Sequence, residues 1–304
     1  MYLFLSLILN SLILLVPFLV SVAFLTLLER KILGFSQIRI GPFKVGVWGV
    51  LQPFADAVKL LAKTSEANSN ANKFLYFSAP VFMLSITLML LNLVPCLELG
   101  NKWSLGFIFF IVILSLSVYP LLLSGWASNS KYAVMGSVRG VAQTISFEIS
   151  LAIIFMIMII LFLSMNLFFI SVIKVSVVFV SPLLGLIWFI ILVIETNRTP
   201  FDFAEGESEL VSGFNIEYSS ISFVLIFLAE YGSIMMFSIF SSLVLLGTPL
   251  FSFNSVCMAI CFSGLWIILR STFPRYRYDL LMSTAWKSFL PLSISMFLVL
   301  LMFL

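Results

Sequence analysis

The sequence predicts an all-α polytopic membrane protein, and three observations support this prediction. Hydrophobic residues make up 62% of the 304-residue chain, whereas charged residues make up only 10%. The mean hydropathy is +1.20, far above that of a soluble domain. Several uncharged runs reach about 20 residues, which is the length that an α-helix needs to cross the hydrocarbon core of a bilayer.

Charged residues, prolines and glycine clusters divide the chain into eight predicted spans. The first has no basic start and no small-residue cleavage site, and it is longer than a signal-peptide core, so we interpret it as a retained helix. Pro291 falls inside the last span. We treat residues 1–304 as a single membrane domain. The spans cover approximately residues 2–28, 74–97, 103–124, 141–166, 175–194, 219–247, 251–269 and 285–304.

Basic residues are distributed unevenly between the two sides of the membrane. Eight spans place both termini on one side, and the loops after the odd-numbered spans then hold fourteen of the 16 Lys and Arg residues. The opposite side holds only Lys102 and Lys174. This positive-inside bias predicts that the long loops lie on the cytoplasm-equivalent side, which we call the basic face.

The first loop on the basic face contains an amphipathic segment that begins at Pro53. Asp56 and Lys59 lie off its apolar stripe. Such a pattern is typical of a helix that lies in the membrane interface. The alternative is a helix on the soluble side that packs against the next loop. The apolar residues at helical spacing are Phe54, Ala57, Val58 and Leu61.

The chain offers few ligands for a redox centre. It contains no histidine, and its three cysteines, Cys96, Cys257 and Cys261, form no CxxC motif. Haem, zinc and iron–sulfur ligation are therefore excluded within this chain. Cys257 and Cys261 are four residues apart on an apolar helix, and half a metal site is the alternative to our interpretation of them as buried structural thiols. There is also no GxGxxG or P-loop motif. Any redox chemistry is expected in another protein or on a diffusible substrate.

Carboxylates cluster in one part of the chain. A charged group at the bilayer centre costs roughly 2.5 to 3.5 kcal/mol on insertion scales, so such residues mark ion or proton pathways. Seven of the 13 acidic residues lie within one segment: Glu195, Asp202, Glu205, Glu207, Glu209, Glu217 and Glu230. Another acid, Glu148, lies roughly two turns inside the fourth span.

Three of these acids enter the membrane region on different helices. Glu148, Glu195 and Glu230 all approach from the basic face, and a carboxyl removed from water can hold a proton and release it to a neighbour. We therefore predict a proton relay. The alternative is that each acid pairs with a basic residue, as Arg139 with Glu148. Because the segment from Glu195 to Glu230 contains one basic residue, Arg198, pairing within it cannot neutralise all seven acids.

The middle of the acidic segment is predicted to change conformation with its charge. Glu205, Glu207 and Glu209 alternate along the chain, so like charges meet in either extended or helical backbone. Gly206 and Gly213 leave the segment conformationally permissive. The alternative is a solvated acidic loop with no further role.

The 24 residues from Glu195 to Tyr218 closely resemble the signature of the subunit 1 family of respiratory complex I, the proton-pumping NADH:ubiquinone oxidoreductase. The similarity covers essentially the full length of the chain. The other matching motifs are Glu29–Gln37, Gly41–Pro42, Gln52–Asp56, Gly125–Ser130, Ala142–Glu148 and Pro274–Asp279.

The resemblance implies a subunit of eight transmembrane helices that forms the membrane part of a ubiquinone-binding chamber. Ubiquinone is then a substrate, and no cofactor is bound by this chain. FMN and iron–sulfur clusters are expected in partner subunits of the peripheral arm, and other membrane-arm subunits are expected as neighbours. The implied location is the mitochondrial inner membrane, with the basic face toward the matrix and both termini in the intermembrane space.

The resemblance also implies roles for individual residues. Glu148, Glu195 and Glu230 correspond to an intramembrane acidic path. Phe147 stands where the family usually has Tyr, so a hydroxyl beside that path is absent. The acidic loop at the mouth of the path comprises Asp202, Glu205, Glu207, Glu209 and Glu217. The residues implied around the quinone tunnel or its entrance are Arg30, Gln37, Asp56 and Phe227.

We therefore predict a core membrane subunit of the redox-driven proton pump, which is part of an enzyme but has no redox centre of its own. A stand-alone proton or ion transporter is the alternative that the acids alone would allow. Transporters often contain internal repeats, and the two halves of this chain show no convincing self-similarity. The density of unpaired carboxylates argues against a purely structural scaffold.

Overall fold

Helices joined by turns and loops account for the described chain, and the described ranges contain no strand. The computed structural model describes residues 2–94, 104–167, 169–170, 176–204, 206, 213–249 and 252–303. The helices are α1 (Tyr2–Ser36), α2 (Gln52–Leu61), α3 (Lys73–Leu91), α4 (Gly106–Ala127), α5 (Lys131–Phe162), α6 (Val177–Val180), α7 (Pro182–Glu195), α8 (Ser220–Leu246), α9 (Phe253–Thr272), α10 (Tyr278–Thr284) and α11 (Leu290–Phe303).

Seven helices within the described ranges are long and apolar enough to cross a membrane. They coincide with seven of the eight predicted spans and confirm the all-α membrane class. The seven are Ile13–Ser36, Lys73–Leu91, Gly106–Ala127, Lys131–Phe162, Ser220–Leu246, Phe253–Thr272 and Tyr278–Met302.

The fifth predicted span, residues 175–194, is divided in the structure. The short helix α6 ends before Ser181, and α7 starts at Pro182, a residue that favours the first turn of a helix. Helix α7 has 14 residues, so it is about 21 Å long, whereas the hydrocarbon core is about 30 Å thick. The total of eight spans therefore stays a prediction.

Two helices extend beyond the predicted spans. Helix α1 continues past residue 28 to Ser36, and α5 begins at Lys131 rather than at residue 141. The predicted boundaries were wrong here because charged residues lower hydropathy without stopping a helix, and Lys, Arg, Glu and Gln are good helix formers. Both extensions carry polar residues of the candidate site.

The last span contains a π-helical turn, Ala285–Phe289, between α10 and α11. The N–H of Leu290 donates to the carbonyl of Ala285, which is the five-residue spacing of a π-helix. Pro291 follows at once, and its missing N–H leaves a carbonyl four residues earlier without its usual donor. The wider turn thus lies where the proline interrupts the α-helical hydrogen bonds.

The predicted amphipathic helix is present as α2, with Pro53 in its first turn. It packs against α1 and α8, and the rings of Phe24 and Phe54 lie 6.0 Å apart. Phe54, Val58 and Leu61 remain exposed on the surface of the chain. An exposed apolar stripe on a helix held against two spans favours the membrane-interface interpretation.

Aromatic side chains fill the core between α4, α5, α7 and α8. The ring of Phe110 lies 5.1 Å from Phe155 and 4.4 Å from Phe240. Phe155 in turn contacts Trp188 at 5.2 Å. Because lipid removes most of the hydrophobic drive between helices, such close packing is a main source of association in the membrane.

Helices α4 and α5 approach most closely at Gly125. A Cβ atom at this position would lie 2.4 Å from Cβ of Ser137 and 2.9 Å from the carbonyl oxygen of Ala133. No side chain fits there without separating the helices. By contrast, a Cβ at Gly264 on α9 would meet nothing within 4 Å.

We expect Gly125→Val to lower the yield of folded protein in the membrane several-fold, because the added side chain would push α4 from α5. The amount of monodisperse protein after detergent extraction measures the effect. Gly264→Val is the matched control, since it adds the same side chain to a membrane helix in open space. Equal yields from both variants would show that the close approach at Gly125 is not needed.

Candidate functional site

Two of the predicted relay acids share a cavity of about 110 Å³ in the helix bundle. Glu195 reaches it from the end of α7, and Glu230 from α8. Apolar side chains form most of the remaining wall, chiefly on α3, α4 and α8, and polar side chains such as Thr144, Asn197 and Ser233 complete it. The cavity thus places two carboxyl groups in a largely apolar enclosure.

Glu195 has a buried carboxyl oxygen that no described group satisfies. Its Oε2 atom is buried and has no hydrogen-bond partner among the described residues. A buried polar atom left unsatisfied costs about 1–3 kcal/mol, so a proton or a water molecule at this oxygen would be favourable. The position is therefore suited to gain and lose a proton.

Glu148 lies on α5, close enough to Glu195 for the two charges to interact. It is half-buried and is not among the residues that line the cavity. The preceding residue, Phe147, is fully buried, and its ring packs edge-on against Phe289 at 5.8 Å. Phe147 thus contacts the last span.

Gln143 fixes the end of α7 to α5. Its amide nitrogen donates hydrogen bonds to the carbonyl oxygens of Ile194 and Phe201, each at 3.0 Å. Both N–H groups of the amide are used, and the residue is fully buried. This clamp holds the backbone on both sides of Glu195. The sequence interpretation placed Gln143 in a motif but missed this positioning role, which needs the two distant carbonyls to be known.

The beginning of the acidic loop is described, and its centre is not. Asp202 is half-buried, whereas Glu205, Glu207 and Glu209 lie outside the described residues. A Cβ atom at Gly206 would lie 2.3 Å from a guanidinium nitrogen of Arg275, so this arginine lies directly against the loop.

Residues from the Pro274–Asp279 motif pack on the same loop. The N–H of Tyr276 donates to the carbonyl of Pro200 at 3.0 Å. The rings of Phe203 and Tyr278 meet at 5.8 Å, and the guanidinium of Arg139 lies 5.8 Å from the Tyr278 ring centre. Basic residues from two other segments therefore approach the acidic run, which a count along the sequence could not show.

Glu217 is held away from the cavity. The amide of Asn68 donates to its carboxylate, and the hydroxyl of Tyr76 donates to its backbone carbonyl. Tyr76 stacks on Tyr218 with ring centres 4.5 Å apart, and the Tyr218 hydroxyl donates to the carbonyl of Ser124 at 3.1 Å. Burial, and secondarily Tyr76, raises the pKa of Tyr218, so this hydroxyl remains a donor. Glu217 thus joins the loop to the first basic-face segment.

A buried ion cluster joins four segments near the basic face. The side chain of Glu29 on α1 is 7% exposed and accepts from the guanidinium of Arg270 on α9. Arg198, in the loop after α7, approaches the same carboxylate oxygen at 3.6 Å. Its Cζ atom lies 4.3 Å from the ring centre of Tyr231 on α8. We call Glu29, Arg198, Arg270 and Tyr231 the arginine cluster.

Sequence reasoning missed the arginine cluster, although each arginine was counted in the basic-face loops. The available signal was Glu29 itself, an acid beside two basic residues at the end of the first apolar run. Arg270 lies 241 residues further along the chain than Glu29. The partners of Glu29 therefore could not be identified from spacing along the sequence.

Of the predicted quinone residues, Arg30 and Asp56 form an ion pair between α1 and α2. The amide of Gln52 also donates to the Asp56 carboxylate at 2.9 Å. Gln37 lies just beyond the end of α1, where its side-chain oxygen accepts from Arg39 at 2.8 Å. The structure therefore brings two of these residues together and leaves Gln37 on the exposed surface.

Phe227, the fourth predicted quinone residue, lies on α8 one turn before Tyr231. Its ring centre is 4.3 Å from that of Phe223 and 6.2 Å from that of Tyr231. Since Tyr231 belongs to the arginine cluster, Phe227 connects an aromatic stripe of α8 to that cluster.

Within the described ranges, no group of three His, Cys, Asp or Glu side chains is arranged to hold a metal ion. Cys257 and Cys261 are free thiols there, and Cys96 lies outside those ranges. The groups that the site presents are carboxyls, guanidiniums, hydroxyls and aromatic rings. Of these groups, the carboxyls can bind and release protons, and their protonation responds to changes in nearby charge.

Comparison with known proteins gives consistent results over nearly the whole chain. A family model described as NADH dehydrogenase matches residues 9–301. A protein of Aedes aegypti is 50% identical over 289 residues, which cover 94% of this chain and 92% of the relative. One of Locusta migratoria is 50% identical over 291 residues, with 95% and 92% covered. One of Branchiostoma lanceolatum is 46% identical over 284 residues, with 92% and 90% covered. All three are named NADH-ubiquinone oxidoreductase chain 1.

Proposed function

Because the chain belongs to the NADH dehydrogenase family of NADH-ubiquinone oxidoreductase chain 1, we propose that it couples ubiquinone reduction to proton translocation within respiratory complex I. It is a membrane subunit of that oxidoreductase. Its part in the proposed mechanism is to form the membrane wall of the ubiquinone-binding chamber and an acidic path leading from it.

The observation that carries this proposal is the cavity shared by Glu195 and Glu230. Reduction of a quinone adds two electrons and takes up two protons, so the charge near the chamber changes in each turnover. A carboxyl in an apolar enclosure responds strongly to a nearby charge, because little water screens the interaction. Glu148, which interacts with Glu195, extends the path into α5.

The arginine cluster lies between the proposed quinone residue Phe227 and the cavity that contains Glu195. A smaller cavity of about 20 Å³ is lined by Glu29, Arg198 and Arg270, among other residues. Thr196 lines both this cavity and the one that contains Glu195. On the other side, the cluster adjoins Phe227 through Tyr231. A shift in the positions of the arginines would therefore change the potential at Glu195, which is the coupling that the proposal requires.

The proposed partners follow from the same assignment. Ubiquinone is the substrate, and its electrons come from peripheral-arm subunits that hold FMN and iron–sulfur clusters and dock on the basic face. Other membrane-arm subunits continue the proton path. The proposed location is the mitochondrial inner membrane. The proposed orientation has the basic face in the matrix and both termini in the intermembrane space, and it is supported by the fourteen of 16 basic residues that lie in the loops of one face.

Replacing both Glu205 and Glu207 by Gln is expected to lower NADH:ubiquinone activity several-fold. NADH oxidation by a hydrophilic acceptor should change little, because the acceptor takes electrons before the quinone step. Both rates are measured on the same membranes carrying the assembled complex. Glu66→Gln, which alters an exposed acid of the first loop, is the matched control. Unchanged NADH:ubiquinone activity would contradict a coupling role for the loop, whereas equal loss of both activities would indicate failed assembly.

A further inference from the structure

An apolar groove, separate from the two cavities described above, lies between α7, α9 and the last span, near their basic-face ends. Its volume is about 450 Å³, and it shares no lining residue with the acid cavity or the cavity of the arginine cluster. Its main lining residues are Phe189, Val193, Phe201, Phe273, Tyr276 and Phe289.

The chemistry of the groove suits a hydrocarbon chain. Aromatic and aliphatic side chains form most of its surface. Of the hydroxyl groups that line it, Thr284 donates to the carbonyl of Leu281 at 2.7 Å, and Ser288 donates to the carbonyl of Thr284. Their hydrogens are thus used within the helix. An empty groove in the membrane would forfeit dispersion contacts on both walls, so an apolar chain is its favourable occupant.

The mouth of the groove has the features of a membrane interface. Phe273 and Tyr276 line the groove and are 56% and 47% exposed. Trp286 is also exposed, in the π-helical turn. Aromatic side chains of this kind are enriched at the level of lipid headgroups.

The charge at the mouth is positive. Lys287 lies in the π-helical turn, directly before the lining residues Ser288 and Phe289. Its side chain is exposed and makes no ion pair with any described residue. The neighbouring Arg277 is paired with Asp279 at 3.1 Å, so these two charges offset each other. The ammonium group of Lys287, which forms no ion pair with a described residue, is therefore carried by the residue next to the groove lining.

We propose that this groove binds one acyl chain of an anionic phospholipid, with its phosphate on Lys287. The occupant combines a hydrocarbon chain with a negative headgroup, which are the two properties that the groove and its mouth require. The π-helical turn is the structural element that makes the site, because it places the exposed Lys287 beside the groove-lining Ser288 and Phe289.

The test uses the intact complex reconstituted in phosphatidylcholine liposomes. One sample contains a phosphatidylglycerol with a photoreactive group in an acyl chain, and another contains a phosphatidylcholine with the same group. After irradiation, the labelled peptides of α7 and α9 are quantified by mass spectrometry. The phosphatidylglycerol probe should label them more strongly. Lys287→Gln should lower its labelling about fivefold, which corresponds to roughly 1 kcal/mol for one basic residue.

Lys59→Gln is the matched control, since it removes another exposed lysine on a basic-face helix, and it should leave the labelling unchanged. Equal labelling by both probes would overturn the proposal and indicate ordinary lipid contact; this comparison needs only the unmodified chain. Labelling by the phosphatidylglycerol probe that disappears when ubiquinone is added would assign the groove to a quinone tail instead, and would equally overturn it.

Discussion

Complex I that carries Glu195→Gln or Glu230→Gln is expected to assemble and to move fewer protons for each electron transferred. Gln has nearly the shape of a protonated Glu, so the largely apolar cavity that holds both residues should keep its packing. It cannot bind and release a proton. For Glu195, whose Oε2 has no partner in the described part of the chain, the substitution removes a proton-binding group without breaking a described hydrogen bond of that atom.

The measurement is the number of protons translocated per NADH oxidised in sealed liposomes, with the rate of NADH:ubiquinone reduction recorded in parallel. Ser117→Ala is the matched control, because Ser117 lines the same cavity but donates its hydroxyl hydrogen to the carbonyl of Leu114 at 2.7 Å. We expect it to leave the proton yield unchanged. An unaltered proton yield in both Gln variants would contradict the acidic path.

Glu148→Gln is expected to change the proton yield in the same direction. We expect a smaller decrease in proton yield than for Glu195→Gln or Glu230→Gln, because Glu148 does not line the cavity that holds those two residues.

Glu29→Leu is expected to reduce the stability of the assembled complex more than any other single ion-pair change described above. The substitution leaves the arginines of the cluster without their shared carboxylate. Removing one partner of a buried ion pair typically costs about 3–5 kcal/mol. Arg270 is 35% exposed, so water compensates part of the loss, and we expect a value at the lower end of that range.

Two measurements test this expectation: the amount of complex recovered, and the temperature at which NADH:ubiquinone activity is lost. Asp279→Asn is the control, because the side chains of Arg277 and Asp279 in that ion pair are 77% and 73% exposed. Surface ion pairs contribute about 0–1 kcal/mol to stability. The double variant Glu29→Leu with Arg270→Leu should be more stable than the sum of the two single effects indicates. Additive losses would show that the two side chains do not interact energetically.

Much of the architecture could be predicted from the sequence because it depends on local composition. A helix that crosses hydrocarbon must be long and apolar, and this requirement is visible in each run separately. The same holds for α2, whose stripe of Phe54, Val58 and Leu61 is a property of ten consecutive residues. The concentration of acids from Glu195 to Glu230 is equally local and marked the candidate site.

The helix ends were less predictable. Hydropathy indicates which residues lie in hydrocarbon, whereas the ends of a helix are set by its backbone hydrogen bonds. Helix α5 therefore begins ten residues before the predicted span, at Lys131, and the fifth span is interrupted before Pro182.

The sequence by itself determined the membrane class, and it predicted the basic face and the group of acidic residues to which we assign a function. Only the tertiary structure decided which acids meet: Glu195 and Glu230 share a cavity, whereas Glu217 is bound by Asn68. It also brought Arg270 to Glu29 across 241 positions of the chain. The physical reason is that hydrophobicity acts on each segment separately, while the interaction of two charges depends on a distance that is fixed only when the helices pack.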